Sequence, residues 1–503
     1  MTDLLYLKEP ELLFNHEQSV DDPRDGLMLF GPLERGKPAG IRSAVIGTAE
    51  GIRRFKRWHS SIIKPVYNQP ASVARPFFPG FEAAFRCTWN PEPVLSVTID
   101  ERTLSRAILI DDGHRRVYEA VNVYLAQIEK TLREEDVRPD VWCVIVPDDV
   151  RRYCSPRAVI DPALRITTPK NIGARFAKQL HSAPSLFPEE NALAKPYQFE
   201  VNFHNQLKAR LLKSQIPIQV IRESTIAPFD FLNIRGKPKR DLSSMLSDIA
   251  WHISTAMFYK SGGRPWKLAA GRPGVCYLGI VFKMDESSVD PRSACCAAQM
   301  FLDSGDGVVF KGAVGPWYNP QRGAFHLSRH AARELASQAV RAFLEKTGYT
   351  PKEIFLHGRI RFSDTEWSGF CDAAPEGTRF VGVTIKPSTG PRLYSTGKHA
   401  VLRGLAYQVE CSRAYLWTRG FVPRLQTYPG LEVPRPLEVS ITHGTASIET
   451  VLNDILALTK LNYNACRFAD GFPVTLKFAN AVGEILTAGP IGPVPPLPFK
   501  FYI

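Results

Sequence analysis

Short apolar runs alternate with helix-like segments along most of the chain. The apolar runs predict strands at residues 141–147, 216–221, 276–282, 353–360, 380–385 and 473–479. The helix-like segments lie near residues 115–134, 199–214, 243–260, 327–347 and 447–461. Because a strand that is apolar along its whole length is usually buried on both faces, this alternation predicts an α/β architecture with largely buried sheets.

A stretch rich in glycine and proline, SGGRPWKLAAGRPG at residues 261–274, separates two sets of predicted elements. The 503 residues of the chain are enough for two or three domains. We therefore predict a first domain over residues 1–262 and a second over residues 263–503.

The composition is that of a folded protein, with 44% hydrophobic and 22% charged residues, which excludes a disordered, collagenous or coiled-coil chain. The 63 Lys and Arg residues exceed the 50 Asp and Glu residues, and the net charge of +13 favours a polyanionic partner, either nucleic acid or an acidic membrane surface. Two segments concentrate positive charge, residues 235–240 and residues 51–64, where Phe55 and Trp58 are interleaved with cations. The second segment is suited to phosphate contacts and stacking, but a solvated basic helix face explains it equally well.

The sequence predicts a cytoplasmic protein that does not span a membrane. No stretch approaches the roughly 18 uninterrupted apolar residues of a spanning helix, and the N-terminus MTDLLYLKEPELL lacks the pattern of a secretory signal. The nine cysteines show no CxxC and no metal-site spacing, so we expect buried structural thiols in a reducing compartment.

Residues 203–224 and the helix that follows them contain a candidate phosphate site. His204 and Lys208 are four residues apart on a predicted helix and project from one face. Gln219 interrupts an apolar strand, and Lys260 ends a helix immediately before two glycines. A phosphomonoester needs convergent cationic donors and a neutral amide, which these four residues can supply.

Each of these residues also has a purely structural interpretation. A His/Lys pair at helical spacing is often a solvated face. Lys260 before glycine is the expected dipole partner at a helix C-terminus, and Gln219 can be an edge-strand residue. The pattern alone leaves both interpretations open.

Longer motifs resemble one family. The order HxxxK, then PIQ, then a helix ending in YKSGGRPWKL resembles the MID domain of Argonaute proteins and its junction with the PIWI domain. Resemblance to short prokaryotic Argonautes, most closely those partnered with TIR-APAZ proteins, extends over segments 23–33, 75–85, 271–283, 295–320 and 456–486. It implies a Rossmann-like MID domain within residues 1–262, followed by an RNase H-like PIWI domain over 263–503.

By the same resemblance, His204, Lys208, Gln219 and Lys260 become ligands of a guide 5′-phosphate. His204 stands where many long Argonautes have tyrosine. The family's C-terminal tail returns to this pocket, where the terminal carboxylate, here that of Ile503, and the glutamine can hold Mg²⁺ against the phosphate. The alternative is a tail that only packs as a final strand.

The resemblance also implies that the PIWI domain is inactive. A two-metal nuclease needs several converging carboxylates. Val281, Gly358 and Asn480 occupy the positions where active family members carry catalytic acids or a histidine. The alternative is a nuclease with another carboxylate set, for example one that contains Asp285 or Asp364.

The function implied is therefore binding rather than cutting. A guide RNA would pair with single-stranded target DNA. A partner with an APAZ domain and a TIR or sirtuin-type module would form a heterodimer with this chain, able to oligomerise on target binding, and would degrade NAD⁺ in defence against plasmids or phage. The alternatives are a nuclease effector in place of the NADase, or a basic RNA-binding protein without a guide.

Overall fold

The computed structural model of the chain describes residues 3–34, 36–37, 39–168, 172–284, 290, 292–302, 307–321, 323–428, 430, 432–490 and 496–503. The strands are β1 (Asp3–Tyr6), β2 (Leu12–Leu13), β3 (Ser19–Val20), β4 (Ser43–Gly47), β5 (Leu95–Thr98), β6 (Val141–Val146), β7 (Ile218–Arg222), β8 (Lys267–Leu268), β9 (Val275–Met284), β10 (Ala294–Leu302), β11 (Gly307–Gly315), β12 (Tyr318–Asn319), β13 (Ala324–Phe325), β14 (Glu353–Gly358), β15 (Arg379–Pro387), β16 (Leu405–Glu410), β17 (Arg413–Leu416), β18 (Leu437–His443) and β19 (Leu497–Pro498). The α-helices are α1 (Pro23–Leu29), α2 (Ala49–Ser61), α3 (Phe81–Phe85), α4 (Glu101–Ile108), α5 (Gly113–Glu134), α6 (Asp148–Tyr153), α7 (Ala174–Ser182), α8 (Pro188–Ala194), α9 (Phe203–Leu211), α10 (Glu223–Ile226), α11 (Leu246–Lys260), α12 (Arg329–Thr347), α13 (Asp364–Cys371), α14 (Ile448–Leu458), α15 (Val474–Lys477) and α16 (Ala479–Thr487).

The first half of the chain is built on a parallel sheet with the order β5-β4-β6-β7. Alternate residues of β6 point to opposite faces, which explains why the whole strand is apolar. Val141 and Cys143 pack with residues of α2 and α11, and Trp142 and Val144 pack with residues of α4, α5 and α9. The sheet therefore lies between two helical layers, the arrangement of a Rossmann-like domain.

The second half is built on a ten-stranded mixed sheet with the order β1-β16-β17-β18-β15-β14-β9-β10-β11-β19. At its centre, β9, β10 and β11 are antiparallel neighbours, and β14 and β15 run parallel to β9. Residues of α12 and α13 pack on one face of this sheet, and residues of α14, α15 and α16 pack on the other. Five central strands with these directions and helices on both faces are typical of an RNase H-like domain.

The N-terminal residues pair with the second half of the chain. β1 extends the ten-stranded sheet by pairing with β16, and β2 pairs with β8, which lies within the glycine- and proline-rich stretch 261–274. Glu9 forms ion pairs with Arg403 at 3.0 Å and with Lys460 at 2.8 Å. The residues before about position 20 are therefore built onto strands that follow residue 262, although the sequence grouped them with the first domain.

The strand predicted at residues 473–479 is wrong. This segment forms α15 and the first residue of α16, with Pro473 immediately before α15. A short apolar run does not distinguish a buried strand from a buried helix. Here close packing favours the helix, because a Cβ atom on Gly279 of β9 would lie only 2.0 Å from the carbonyl oxygen of Thr475.

None of the nine cysteines forms a disulfide, and six of them are buried as expected. The expectation is wrong for Cys87, which is partly exposed, and for Cys371 and Cys411, which are exposed. Cys371 ends α13 and Cys411 lies in the turn between β16 and β17, positions that contribute little to the core. Among the described residues, no helix has both the length and the apolar character needed to cross a membrane.

Candidate functional site

Helix α9 carries two of the predicted site residues. The side chain of Asn202 caps its N-terminus by accepting a hydrogen bond from the backbone N–H of Asn205. Its apolar residues, including Phe203 and Leu207, pack into the core of the parallel sheet. This packing fixes the helix, so that the His204 ring lines a cavity and Lys208 is buried with 4% of its surface exposed.

Lys260 joins the strand that carries Gln219. It is the last residue of α11, and its Nζ donates hydrogen bonds to the carbonyl oxygen of Ile218 at 2.9 Å and to Oε1 of Gln219 at 2.6 Å. The chain then turns at Gly262, whose φ of +104° favours glycine. Lys260 thus ends a helix before glycine and also contacts the candidate site, and Gln219 lies on the edge strand β7.

The C-terminal tail lies against α9. β19 pairs with β11, and Phe499 packs against Phe301 and Phe478. Nζ of Lys208 donates a hydrogen bond of 3.3 Å to the carbonyl oxygen of Tyr502, and Ile503 is buried. Helix α9, strand β7, the end of α11 and the C-terminal tail therefore lie close to one another.

A cavity of about 660 Å³ opens beside these residues, and we call it the cationic cavity. His204, Gln219, Arg151 and Arg222 line it, and Lys208 and Lys260 are buried behind this lining. The described residues that line it include no carboxylate. Its surplus of cationic donors suits an anion.

The sequence prediction missed the two arginines of the cationic cavity. Arg222 is the last residue of β7, and Arg151 lies in α6, which follows β6 directly. A signal for both was present, because ligands of parallel sheets bind outside the carboxyl ends of the strands. Arg222 also contacts Asp148, at 3.4 Å, so its charge is partly balanced.

Burial changes the protonation of the three basic groups. Burial lowers the pKa of Lys208 from 10.5 to about 7, and burial and then Lys208 lower the pKa of Lys260. The His204 ring is accessible through the cavity but otherwise enclosed by protein, and burial, followed by Lys208, lowers its pKa to about 3. Burial therefore disfavours the charged form of all three groups, and a bound anion would favour it.

The proposed metal ligands are of a suitable type for Mg²⁺. Gln219 Oε1 accepts a hydrogen bond from Lys260 and keeps a second lone pair. The carboxylate of Ile503 follows the Tyr502 carbonyl that Lys208 contacts. An amide oxygen, a carboxylate and phosphate oxygens are the hard donors that Mg²⁺ prefers.

The degenerate PIWI positions lie on two strands of the ten-stranded sheet, for Val281 and Gly358, and on a helix packed against it, for Asn480. In the parallel pairing of β14 with β9, His357 is opposite Gly279, which places Gly358 beside the segment of β9 that contains Val281. Asn480 is exposed on α16. Gly483 of the same helix lies against Val281 of β9. Val281 and Asn480 have neutral side chains, and the charged pair nearby is Lys283 with Glu484, whose Nζ and Oε1 are 3.6 Å apart.

The alternative carboxylate set receives no support from the described residues. Asp285 lies outside the residues that the structure describes. Asp364 is 98% exposed on the first turn of α13. Within the described part of the chain, no group of three or more His, Cys, Asp or Glu side chains is arranged to hold a metal ion.

The sequence matches no family model and no curated protein. The fold is similar to that of solved Argonautes. One is Clostridium butyricum Argonaute bound to a guide DNA with a 5′ deoxycytidine and a 19-mer target DNA, with 15% identity and a TM-score of 0.64, covering 100% of this chain and 55% of that chain. A second is Aa-Ago with externally bound siRNA, with 16% identity and a TM-score of 0.55, covering 99% of this chain and 56% of that chain. A third is A. aeolicus Argonaute, with 15% identity and a TM-score of 0.54, covering 97% of this chain and 53% of that chain.

This similarity confirms the predicted fold class, an α/β protein with a Rossmann-like domain followed by an RNase H-like domain. At 15–16% identity it shows the fold and nothing finer. The chain spans about half the length of these Argonautes.

Proposed function

We propose that this chain is a short Argonaute that binds the 5′-phosphate of a guide RNA in the cationic cavity. The observation that carries the proposal is that three separate elements of the chain bring His204 and Gln219 to the lining of one cavity and bury Lys208 and Lys260 beside them. The similar structures add support, because one is bound to a guide DNA and a target DNA and another to an siRNA.

The geometry suggests how the phosphate is held. In the free site, Nζ of Lys208 donates to a backbone carbonyl, and Nζ of Lys260 donates to a backbone carbonyl and to an amide oxygen, all of which are neutral acceptors. A phosphate that enters beside Gln219 exchanges these acceptors for charged oxygens, and such hydrogen bonds are roughly twice as strong as those between neutral groups. Arg151 and Arg222, which also line the cavity, are placed to contact the following phosphates of the strand.

A divalent cation fits the same scheme. Gln219 Oε1 and the Ile503 carboxylate would hold Mg²⁺, which when bound would neutralise part of the phosphate charge. The two lysines then position the remaining phosphate oxygens. The terminal residues would thereby belong to the binding site as well as to the core.

We further propose that the chain does not cut its target. The neutral side chains of Val281, Gly358 and Asn480 support this proposal, because metal ions in a two-metal site need carboxylate ligands. The guide would select a single-stranded DNA target by base pairing, and the protein would grip backbone and duplex geometry.

Recognition would then act through a partner. The partner would be an APAZ-domain protein with a TIR or sirtuin-type NADase, forming a heterodimer able to oligomerise on target binding. It would deplete NAD⁺ in defence of a prokaryotic cell by abortive infection. The sequence resemblance supports this partner. Equal NAD⁺ hydrolysis by the reconstituted complex with matched and unmatched target would refute the switch.

The central test compares one RNA with a 5′-phosphate or a 5′-hydroxyl. We expect wild-type protein to prefer the phosphate, and the double variant His204→Ala/Lys208→Ala to lose about tenfold or more in affinity for the phosphorylated strand only. Lys213→Ala is the matched control, because Lys213 is an exposed lysine just after the same helix. No preference in wild-type protein would refute guide binding and leave a basic protein that binds nucleic acid by charge.

A further inference from the structure

The two basic segments noted in the sequence meet in the structure, away from the residues that hold the 5′-phosphate. Residues 51–64 form most of α2, and residues 235–240 belong to the connection between α10 and α11. Asp230, in this connection, accepts hydrogen bonds from Arg54 Nε at 3.1 Å and from Arg57 Nη2 at 2.5 Å. The Arg54 guanidinium also lies over the Phe231 ring, 4.8 Å from its centroid. The Lys239 N–H donates to the Phe231 carbonyl oxygen at 2.7 Å, so the second basic segment adjoins this contact and the two segments form one surface.

A groove of about 520 Å³ runs along this surface. Tyr67 and Phe229 line it with 62% and 54% of their surfaces exposed, and Arg57 lines it with its side chain 58% exposed. Behind Tyr67, the ring of Phe77 is stacked at 5.4 Å with an angle of 21°. We call this site, defined by Arg57, Tyr67, Phe77 and Phe229, the aromatic groove.

The aromatic residues that stack are not those suggested by the sequence. Phe55 is fully buried and Trp58 is 8% exposed, since both face the core from α2. They pack on Trp89, with ring centroids 6.3 and 6.4 Å away. Tyr67 and Phe229 instead come from loops on either side of the helix, a juxtaposition that spacing in the sequence does not show.

The loop that carries Tyr67 and Phe77 is held in place. Val66 and Phe78 exchange two backbone hydrogen bonds of 2.8 and 2.9 Å. The Asn68 amide donates to Ser247 Oγ at 2.6 Å, and its Oδ1 accepts from the Ser247 N–H at 2.8 Å. Ser247 lies in the first turn of α11, the helix that ends at Lys260. The stacked rings are therefore a preformed platform, and a ligand need not order them.

Charge indicates the occupant. The flanking connection presents exposed cations at Arg235, Lys237, Lys239 and Arg240, and Arg57 adds another within the groove. The nearby acids Asp230 and Glu223 are already paired with arginines. A flat, exposed aromatic platform beside exposed cations matches a single-stranded nucleic acid, whose bases stack and whose phosphates are anionic.

The aromatic groove is next to the cationic cavity. Thr225 lines both, and Arg240 Nη1 donates to Thr225 Oγ1 at 3.4 Å. If the guide 5′ end occupies the cationic cavity, the antiparallel target leaves the duplex at this place in its 3′ direction. We propose that the aromatic groove binds the unpaired 3′ flank of the target strand. This inference rests on the proposed guide binding and adds a second nucleic-acid site to it.

The test uses full-length protein loaded with a 5′-phosphorylated guide RNA. Three DNA targets share the paired region and differ in their ends: one is flush, one has about six unpaired thymidines on its 3′ side, and one has them on its 5′ side. We expect the 3′ flank alone to raise affinity by about tenfold. The variant Tyr67→Ala/Phe229→Ala should lose this gain and still bind the flush target.

Tyr6→Ala is the control variant, because Tyr6 is 57% exposed on β1, in the other sheet. Arg57→Ala should also make the salt dependence of 3′-flank binding less steep, by about 0.7 in the logarithmic slope for each lost phosphate contact. Equal affinity for flush and 3′-flanked targets would overturn the proposal and leave the groove to a protein partner. A gain that survives in the double variant, or that a 5′ flank gives equally, would also overturn it.

The failure of this inference is distinguishable from the failure of guide binding. Loss of guide binding appears as equal affinity for RNA with a 5′-phosphate or a 5′-hydroxyl. The groove can then still be probed with labelled oligothymidine and no guide, comparing wild type with Tyr67→Ala/Phe229→Ala. Equal binding by the two proteins would exclude single-stranded nucleic acid from the groove under either condition.

Discussion

Replacing Lys208 by methionine should stabilise the free protein and weaken its binding to a 5′-phosphate. Methionine fills a similar volume without a charge. Lys208 is 4% exposed, and the one hydrogen bond of its Nζ, at 3.3 Å, goes to a neutral carbonyl. Its burial therefore lacks the compensation that a bound phosphate would give.

The pKa shift gives the magnitude and the sign. Lowering the pKa of Lys208 from 10.5 to about 7 corresponds to about 4 kcal/mol of lost stability at pH 7. Between these two pKa values the unfolded chain carries a proton on Lys208 that the folded chain lacks, so the stability of the free protein rises with pH in this window. Phosphate binding requires the ammonium form, so the preference for a 5′-phosphate falls as pH rises from 7 to 9.

Thermal unfolding and RNA binding, each measured at pH 7, 8 and 9, test both trends. We expect Lys208→Met to raise the melting temperature at pH 7 by several degrees and to flatten its pH dependence. It should lower affinity for the 5′-phosphorylated strand by about tenfold or more. Lys213→Met, at an exposed lysine, should change neither quantity. A variant less stable than wild type at pH 7, with the phosphate preference intact, would refute the assignment of Lys208 as an uncompensated buried cation.

Four further predictions concern the metal, the core and the chemistry. Removing Mg²⁺ with a chelator should weaken binding of 5′-phosphorylated RNA but not of 5′-hydroxyl RNA in a binding titration. Gln219→Leu should abolish this difference between the two RNAs, and an equal effect of the chelator on both RNAs in wild-type protein would exclude the proposed Mg²⁺ site. Glu9→Gln should lower the free energy of unfolding in denaturant by about 3 kcal/mol, because it leaves two buried cations without their carboxylate. This difference from wild type should shrink only under acid conditions, since the two cations lower the pKa of Glu9 against the effect of burial. Gly279→Ala should destabilise by about 3 kcal/mol, because its Cβ would lie 2.0 Å from a backbone oxygen; an unchanged melting curve would contradict the packing of α15 on β9. Guide-loaded protein should leave a matched, labelled DNA target uncut with Mg²⁺ or Mn²⁺, and a metal-dependent product on a gel would revive the nuclease alternative.

The elements around the cationic cavity were largely predictable from the sequence. The helix predicted at 199–214 is observed as α9, and the helix predicted at 243–260 as α11. Both have long periodic or apolar patterns and clear ends, an asparagine cap for the first and glycines after the second. The spacing of His204 and Lys208 follows directly from helix geometry.

Other features depend on contacts between distant residues, which a single sequence does not encode locally. The run at 473–479 satisfies a strand pattern, but in the structure it is helical and packs closely on Gly279. Arg151 and Arg222 reach the same cavity because two parallel strands end side by side. Tyr67 replaces Trp58 as the exposed aromatic because the face of α2 that carries Trp58 is buried.

The pairing of β1 with β16 has a consequence for how the chain is made. Residues 3–6 hydrogen-bond with residues 405–408, so the first strand has no partner until most of the chain has been synthesised. At roughly 5–20 residues per second, the wait is on the order of 20–80 seconds. During that time the backbone N–H and C=O groups of the strand have no β16 to pair with, so this edge of the ten-stranded sheet can close only after residue 408 has been made.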